Sequence, residues 1–191
     1  MMRRLLAASL MLAVFPVLNG CAPLVIGGAA AGGVIVAQDR RTIGTMTEDE
    51  GIELRALGRI RERFKEGVHV NVTSYNRMVL LTGEVPSDAV RAEIERIARG
   101  VQNVRGVYNE TIIGGVSSLT ARSNDSLITS KVKSRFVDGR KFNAIHVKVV
   151  TENSVVYLMG LVTRQEAADA TEIARTTSGV QKVVRVFEYI D

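Results

Sequence analysis

The chain holds one cysteine, Cys21, and two histidines, His69 and His146. With the carboxylates, these are the groups from which nucleophilic, acid–base or metal chemistry would have to be built. A single cysteine cannot close an internal disulfide, and a free thiol is a liability in an oxidising compartment. Modification is the chemistry left to Cys21. The histidines have no His-x-x-x-His spacing, cysteine cluster or Asp/Glu–His arrangement around them. They stand at matching places before two valine-rich segments and are expected to be solvent-facing residues at strand edges. No serine sits in a Gly-x-Ser-x-Gly elbow. The acidic group Glu48, Asp49, Glu50 and Glu53 reads as a helix N-terminal cluster favoured by the macrodipole, not as a paired-carboxylate site. Nothing here predicts an enzyme, and neither a cofactor nor a metal is expected.

The surroundings of Cys21 say what its modification would be. Arg3 and Arg4 precede an apolar run from Leu5 to Leu18, and Asn19, Gly20 and Cys21 follow. A charged start, a short apolar stretch and a small residue at the cut are the layout of a secretory signal peptide over residues 1–20. The run is shorter than the roughly 18 residues a spanning helix needs, and Pro16 would break such a helix. Leu18-Asn19-Gly20-Cys21 resembles a lipobox, in which the cysteine becomes the lipidated N-terminus. Diacylglyceryl modification plus N-acylation gives more than the two signals that stable anchoring needs. Ala22, rather than Asp, after the cysteine favours the outer membrane. Cleavage would leave residues 21–191, enough for one ordinary domain or two small ones. The formal charge of +5 would fall by the two lost arginines, which weakens any case for nucleic acid. There is no tryptophan and no aromatic platform interleaved with basic residues.

The elements that position these residues are set by a repeat. Residues 70–83 align without a gap to 147–160, and Ile97-Ala98-Arg99 recurs as Ile173-Ala174-Arg175. Each copy predicts a helix (about 49–65 and 125–138), two strands joined at Tyr75-Asn76-Arg77 and at Glu152-Asn153-Ser154, a second helix (87–99 and 164–177) and a closing strand. Asn suits the positive φ of such turns. Gly83 and Gly160 are expected to end the second strands, and Asn124 or Asp125 to cap the helix at 125. Residues 21–45 form a lipidated Gly/Ala-rich leader, 46–114 the first domain, 115–122 a linker and 123–191 the second domain.

Two α-β-β-α-β units, with valine-rich strands and the closing Gly179-Val180-Gln181-Lys182-Val183, resemble BON domains. In the first unit the closing motif is degenerate, Asn103-Val104-Arg105-Gly106-Val107. The resemblance implies an α+β fold, each unit a small three-stranded mixed sheet packed against two helices. A lipoprotein signal before two such domains is similar to the dual-BON outer-membrane lipoproteins of the division- and outer-membrane-stress-associated lipid-binding type. That likeness implies binding of anionic phospholipid (phosphatidylglycerol, cardiolipin) at the inner face of the outer membrane. It also implies upkeep of the envelope barrier and recruitment to the division site.

A lipid site can be sought on the two first helices. Residues 48–66 carry six acidic and five basic groups, whereas 125–141 carry two acidic and five basic. At 100° per residue, Ile128, Val132 and Phe136 form a core stripe. Leu127 falls off it, near Lys131 and Ser134. An exposed Leu flanked by lysines fits shallow insertion with ammonium groups on phosphates. Each basic residue contributes about 1 kcal/mol near an anionic surface. It equally fits a solvated basic helix with one exposed Leu. In proteins of the resembled type this helix is the lipid-contact element, so the candidate contacts are Leu127, Ile128, Lys131, Ser134 and Arg135. A large aromatic is expected where this chain has Leu127. The other reading is a periplasmic scaffold that engages envelope proteins through open sheet edges.

Overall fold

The structure, a computed structural model, describes residues 39–191. Cys21, the signal peptide and most of the leader lie outside the described residues. The first unit runs α1 (Ile43–Arg63), β1 (His69–Tyr75), β2 (Met78–Val85), α2 (Asp88–Arg99), β3 (Gly106–Asn109) and β4 (Ile112–Ile113). The second runs α3 (Leu119–Gly139), a short 3-10 turn (Ala144–His146), β5 (Val147–Glu152), β6 (Val155–Val162), α4 (Arg164–Arg175) and β7 (Lys182–Tyr189). The fold is α+β.

Both first helices start earlier than expected. Thr42 and Ser118 are the caps, each accepting a hydrogen bond from the amide three residues on. Leu119–Arg122, read as linker, are therefore the first turn of α3. The acidic residues of α1 sit beyond its first turn, and Asp125 lies inside α3 rather than at its cap. Asp49 and Asp125 are buried and do another job. Asp49 accepts the amides of Asn76 and Arg77, and Asp125 those of Asn153 and Ser154, all at 2.7–2.9 Å. Those four residues have φ between 50° and 64°. Two consecutive positive-φ residues are what a two-residue hairpin turn requires. The first helix of each unit thus clamps the turn of the hairpin packed beneath it.

In each unit the central strand pairs antiparallel with the strand before it and parallel with the closing strand. The closing strand of the first unit is split in two, β3 beside the start of β2 and β4 beside its end, which gives that sheet a fourth short strand. In the second unit β7 follows β6 for eight residues without a break. Gly83 and Gly160 do not end their strands, which continue to Val85 and Val162. A Cβ on Gly83 would collide with the carbonyl oxygen of His69, and one on Gly160 with that of His146. The close approach of the neighbouring strand explains both glycines.

Alternation along the central strands feeds two different cores. Val79, Leu81 and Val85 face α1 and α2, as Val156, Leu158 and Val162 face α3 and α4. Leu80, Tyr157 and Met159 point the other way and meet Tyr75 and Val186 in a third core shared by the two sheets. The central strands are buried on both faces, so they read as nearly continuous apolar runs.

Candidate functional site

Two places carry chemistry, one on the second unit and one where the two units meet. The first is the outer face of α3. Ile128, Val132 and Phe136 are buried in the core, Ile128 only 1% exposed. They fix the rotation of the helix and turn Leu127 outward, where it is 61% exposed. Lys131 and Ser134 are exposed beside it, and the Ser134 hydroxyl donates to Asp138. Arg135 lies at the margin and is bonded elsewhere. Its guanidinium donates to the Ile173 carbonyl at 2.9 Å and to the hydroxyls of Thr177 and Thr176. It thereby satisfies the C-terminal end of α4, where a cation is favoured by the dipole. Of the five contacts read from sequence, three lie together on one outward strip. Ile128 supports that strip from beneath, and Arg135 is held at its edge.

Sequence reasoning missed two members of the strip. Val137 is 63% exposed, and Lys133 is exposed as well. The same 100° wheel places Val137 beside Ser130, on the flank of Leu127 away from Lys131. The signal was present, but a single valine near the end of a helix does not stand out among polar neighbours. Among the described residues no helix is long and apolar enough to cross a membrane. The strip belongs to a surface helix.

The second place is a polar cluster where the two sheets meet. His69 is not a solvent-facing strand-edge residue. Its side chain is largely covered, and Nδ1 lies 2.8 Å from Oε2 of Glu84. The matching His146 is likewise covered, with Glu166 at 3.5 Å. The carboxylate partners escaped sequence analysis because they come from neighbouring strands and helices rather than from nearby positions. Glu84 also accepts from the Asn153 amide group and the Ser117 backbone amide. Burial pushes the Glu84 carboxyl up, but these hydrogen bonds outweigh it and hold it below the usual range. Glu152 enters from the second sheet and accepts from Asn71 at 2.8 Å and Thr82 at 3.3 Å. Burial pushes its carboxyl up, and the Asn71 bond offsets that only in part. A His69 nitrogen and one oxygen each of Glu84 and Glu152 lie within 4.8 Å of one another.

A third set of contacts ties the chain ahead of α1 to the second unit. Arg40 forms a two-pronged ion pair with Glu166 at 2.6 and 2.9 Å and donates to the Leu161 carbonyl. The Arg40 guanidinium beside it holds the Glu166 carboxyl well below the carboxylate range, at about 2.

Known proteins place this architecture. The BON domain model matches residues 49–115 and again 124–191. The chain is 43% identical over 177 residues to the outer membrane lipoprotein DolP of Haemophilus influenzae, covering 91% of each chain. It is 35% identical to a 21 kDa hemolysin of Actinobacillus pleuropneumoniae, over 80% of this chain and 79% of that one. It is 27% identical to osmotically-inducible protein Y of Escherichia coli, over 74% and 72% respectively. The protein belongs to the BON-domain family, and it carries that domain in two tandem copies.

Proposed function

We propose that this protein is a non-catalytic outer-membrane lipoprotein, anchored through Cys21 on the periplasmic face, whose second BON domain binds anionic phospholipid. The exposed strip of α3 carries the reading. It sets Leu127 and Val137 among small serines, with Lys131 and Lys133 on its two sides. Short apolar side chains enter the headgroup region, while the ammonium groups stay on phosphates. Two lysines contribute about 2 kcal/mol at an anionic surface, too little to hold a free protein. A lipid anchor changes this, because the second contact then forms at high effective concentration. The likeness to a named outer membrane lipoprotein supports the location. Support of the envelope barrier, with enrichment at the division site, belongs to the same reading.

The test is flotation of unlipidated residues 22–191 with vesicles. Binding to phosphatidylglycerol or cardiolipin vesicles and not to phosphatidylcholine is expected. The double substitution Leu127→Glu with Lys131→Glu should abolish it. Equal binding to both vesicle types, or binding untouched by the substitutions, contradicts the reading.

A further inference from the structure

We infer that His69, Glu84 and Glu152 form a binding site for a divalent transition-metal ion of the Zn2+ class, built across the joint between the two domains. One imidazole and two carboxylates are a donor set that such an ion accepts, with a water completing the shell. Bonds of about 2.0–2.2 Å in a tetrahedron separate the donor atoms by roughly 3.4 Å. The three donor atoms here lie within 4.8 Å of one another, and the His69–Glu84 pair stands at 2.8 Å. Small side-chain rotations, which widen the His69–Glu84 pair, would bring the three donors to that separation.

Each carboxylate is already oriented. Asn153 donates to Oε1 of Glu84 at 2.7 Å, while Oε2 accepts from the Ser117 amide at 3.1 Å and faces His69. Asn71 and Thr82 both donate to Oε2 of Glu152, and among the described residues no protein donor reaches its Oε1. Amide and hydroxyl donors behind the ligands are the outer-shell pattern that fixes metal-binding carboxylates. Glu84 and Glu152 are only 2% and 5% exposed. Arg122 lines the adjoining cleft and offsets the two buried carboxylates in part, and a bound dication would neutralise the rest. A cleft of about 300 Å³, lined by His69, Glu152, Asn71 and Thr129 among others, gives an ion a way in and room for its water.

Duplication does not explain the cluster. In the gap-free alignment the counterparts of Glu84 and Glu152 are Leu161 and Tyr75. Only the histidine is repeated. Among the described residues the site occurs once, because it needs one donor pair from the first sheet and one carboxylate from the second. An ion there would link the domains and stabilise their packing by mass action.

The experiment uses the full chain in detergent micelles, stripped with a chelator and titrated with Zn2+ in a calorimeter. One equivalent should bind at micromolar concentration and raise the melting temperature. His69→Asn and Glu152→Gln should each weaken binding about tenfold or more, and His146→Asn should leave it unchanged. No binding up to about 0.1 mM Zn2+ overturns the inference. So does binding that survives both cluster substitutions or falls equally with His146→Asn. If the cluster variants do not fold, Co2+ bound to the unaltered chain decides. An intense visible band of a four- or five-coordinate site with imidazole supports the inference, and the pale six-coordinate spectrum of aqueous Co2+ contradicts it.

Discussion

At the scale of single residues, charge placement is more informative than charge count. Lys131 and Lys133 face outward and are available to a surface, whereas Arg135 is spent on the end of α4. A sum over the helix cannot separate them. The Arg40–Glu166 pair shows the same selectivity. Glu166 has a folded pKa near 2 against an ordinary 4.5, so its charged form favours the folded state. That contribution is complete above about pH 4.5 and is lost as pH falls toward 2. Arg40→Ala should therefore lower stability at neutral pH, and the difference from the unaltered chain should shrink between pH 4.5 and 2. Urea titrations at several pH values measure it; a gap that widens on acidification contradicts the assignment.

At the scale of elements, each domain is held by a helix-to-turn clamp. Asp125 accepts two backbone amides from the Asn153-Ser154 turn, and hydrogen bonds to a charged acceptor are worth about 1.5–3 kcal/mol each. Asp125→Ala should cost at least about 3 kcal/mol in chemical denaturation. A loss below about 1 kcal/mol would mean that the turn holds itself through its positive-φ residues. This clamp marks the limit of what was legible. The hairpin turns could be read from Asn76 and Asn153, and the core stripe of α3 from its four-residue spacing, because both are local patterns. The role of Asp125 was not, since a buried Asp inside a helix and one at its cap look alike in sequence. The helix starts were missed for the same reason. Ser118 lies in a polar, glycine-containing stretch that reads as linker, yet its hydroxyl caps the helix by accepting from the Ala121 amide.

At the scale of the whole molecule, the two domains are joined face to face by their sheets. Leu80, Tyr157 and Met159 close an apolar centre, and the His69–Glu84–Glu152 cluster lies on the same joint. No repeat alignment reveals that joint, because it depends on the outward faces of strands whose inward faces already explain their hydrophobicity. Burial there pushes the Tyr157 hydroxyl up to about 12, as expected for a ring sealed between layers. The joint, together with the Arg40 bridge, leaves the strip of α3 on the outer surface. In the proposed function the anchored molecule touches the membrane twice, once through lipid and once through this helix. The absence of tryptophan from the sequence makes the second contact directly measurable. Leu127→Trp in the full chain, reconstituted into vesicles, places a single reporter on the strip. The account predicts a blue-shifted emission, quenched by brominated acyl chains, in phosphatidylglycerol-containing vesicles and not in phosphatidylcholine alone. Emission that stays at the position of exposed indole in both membranes would contradict it.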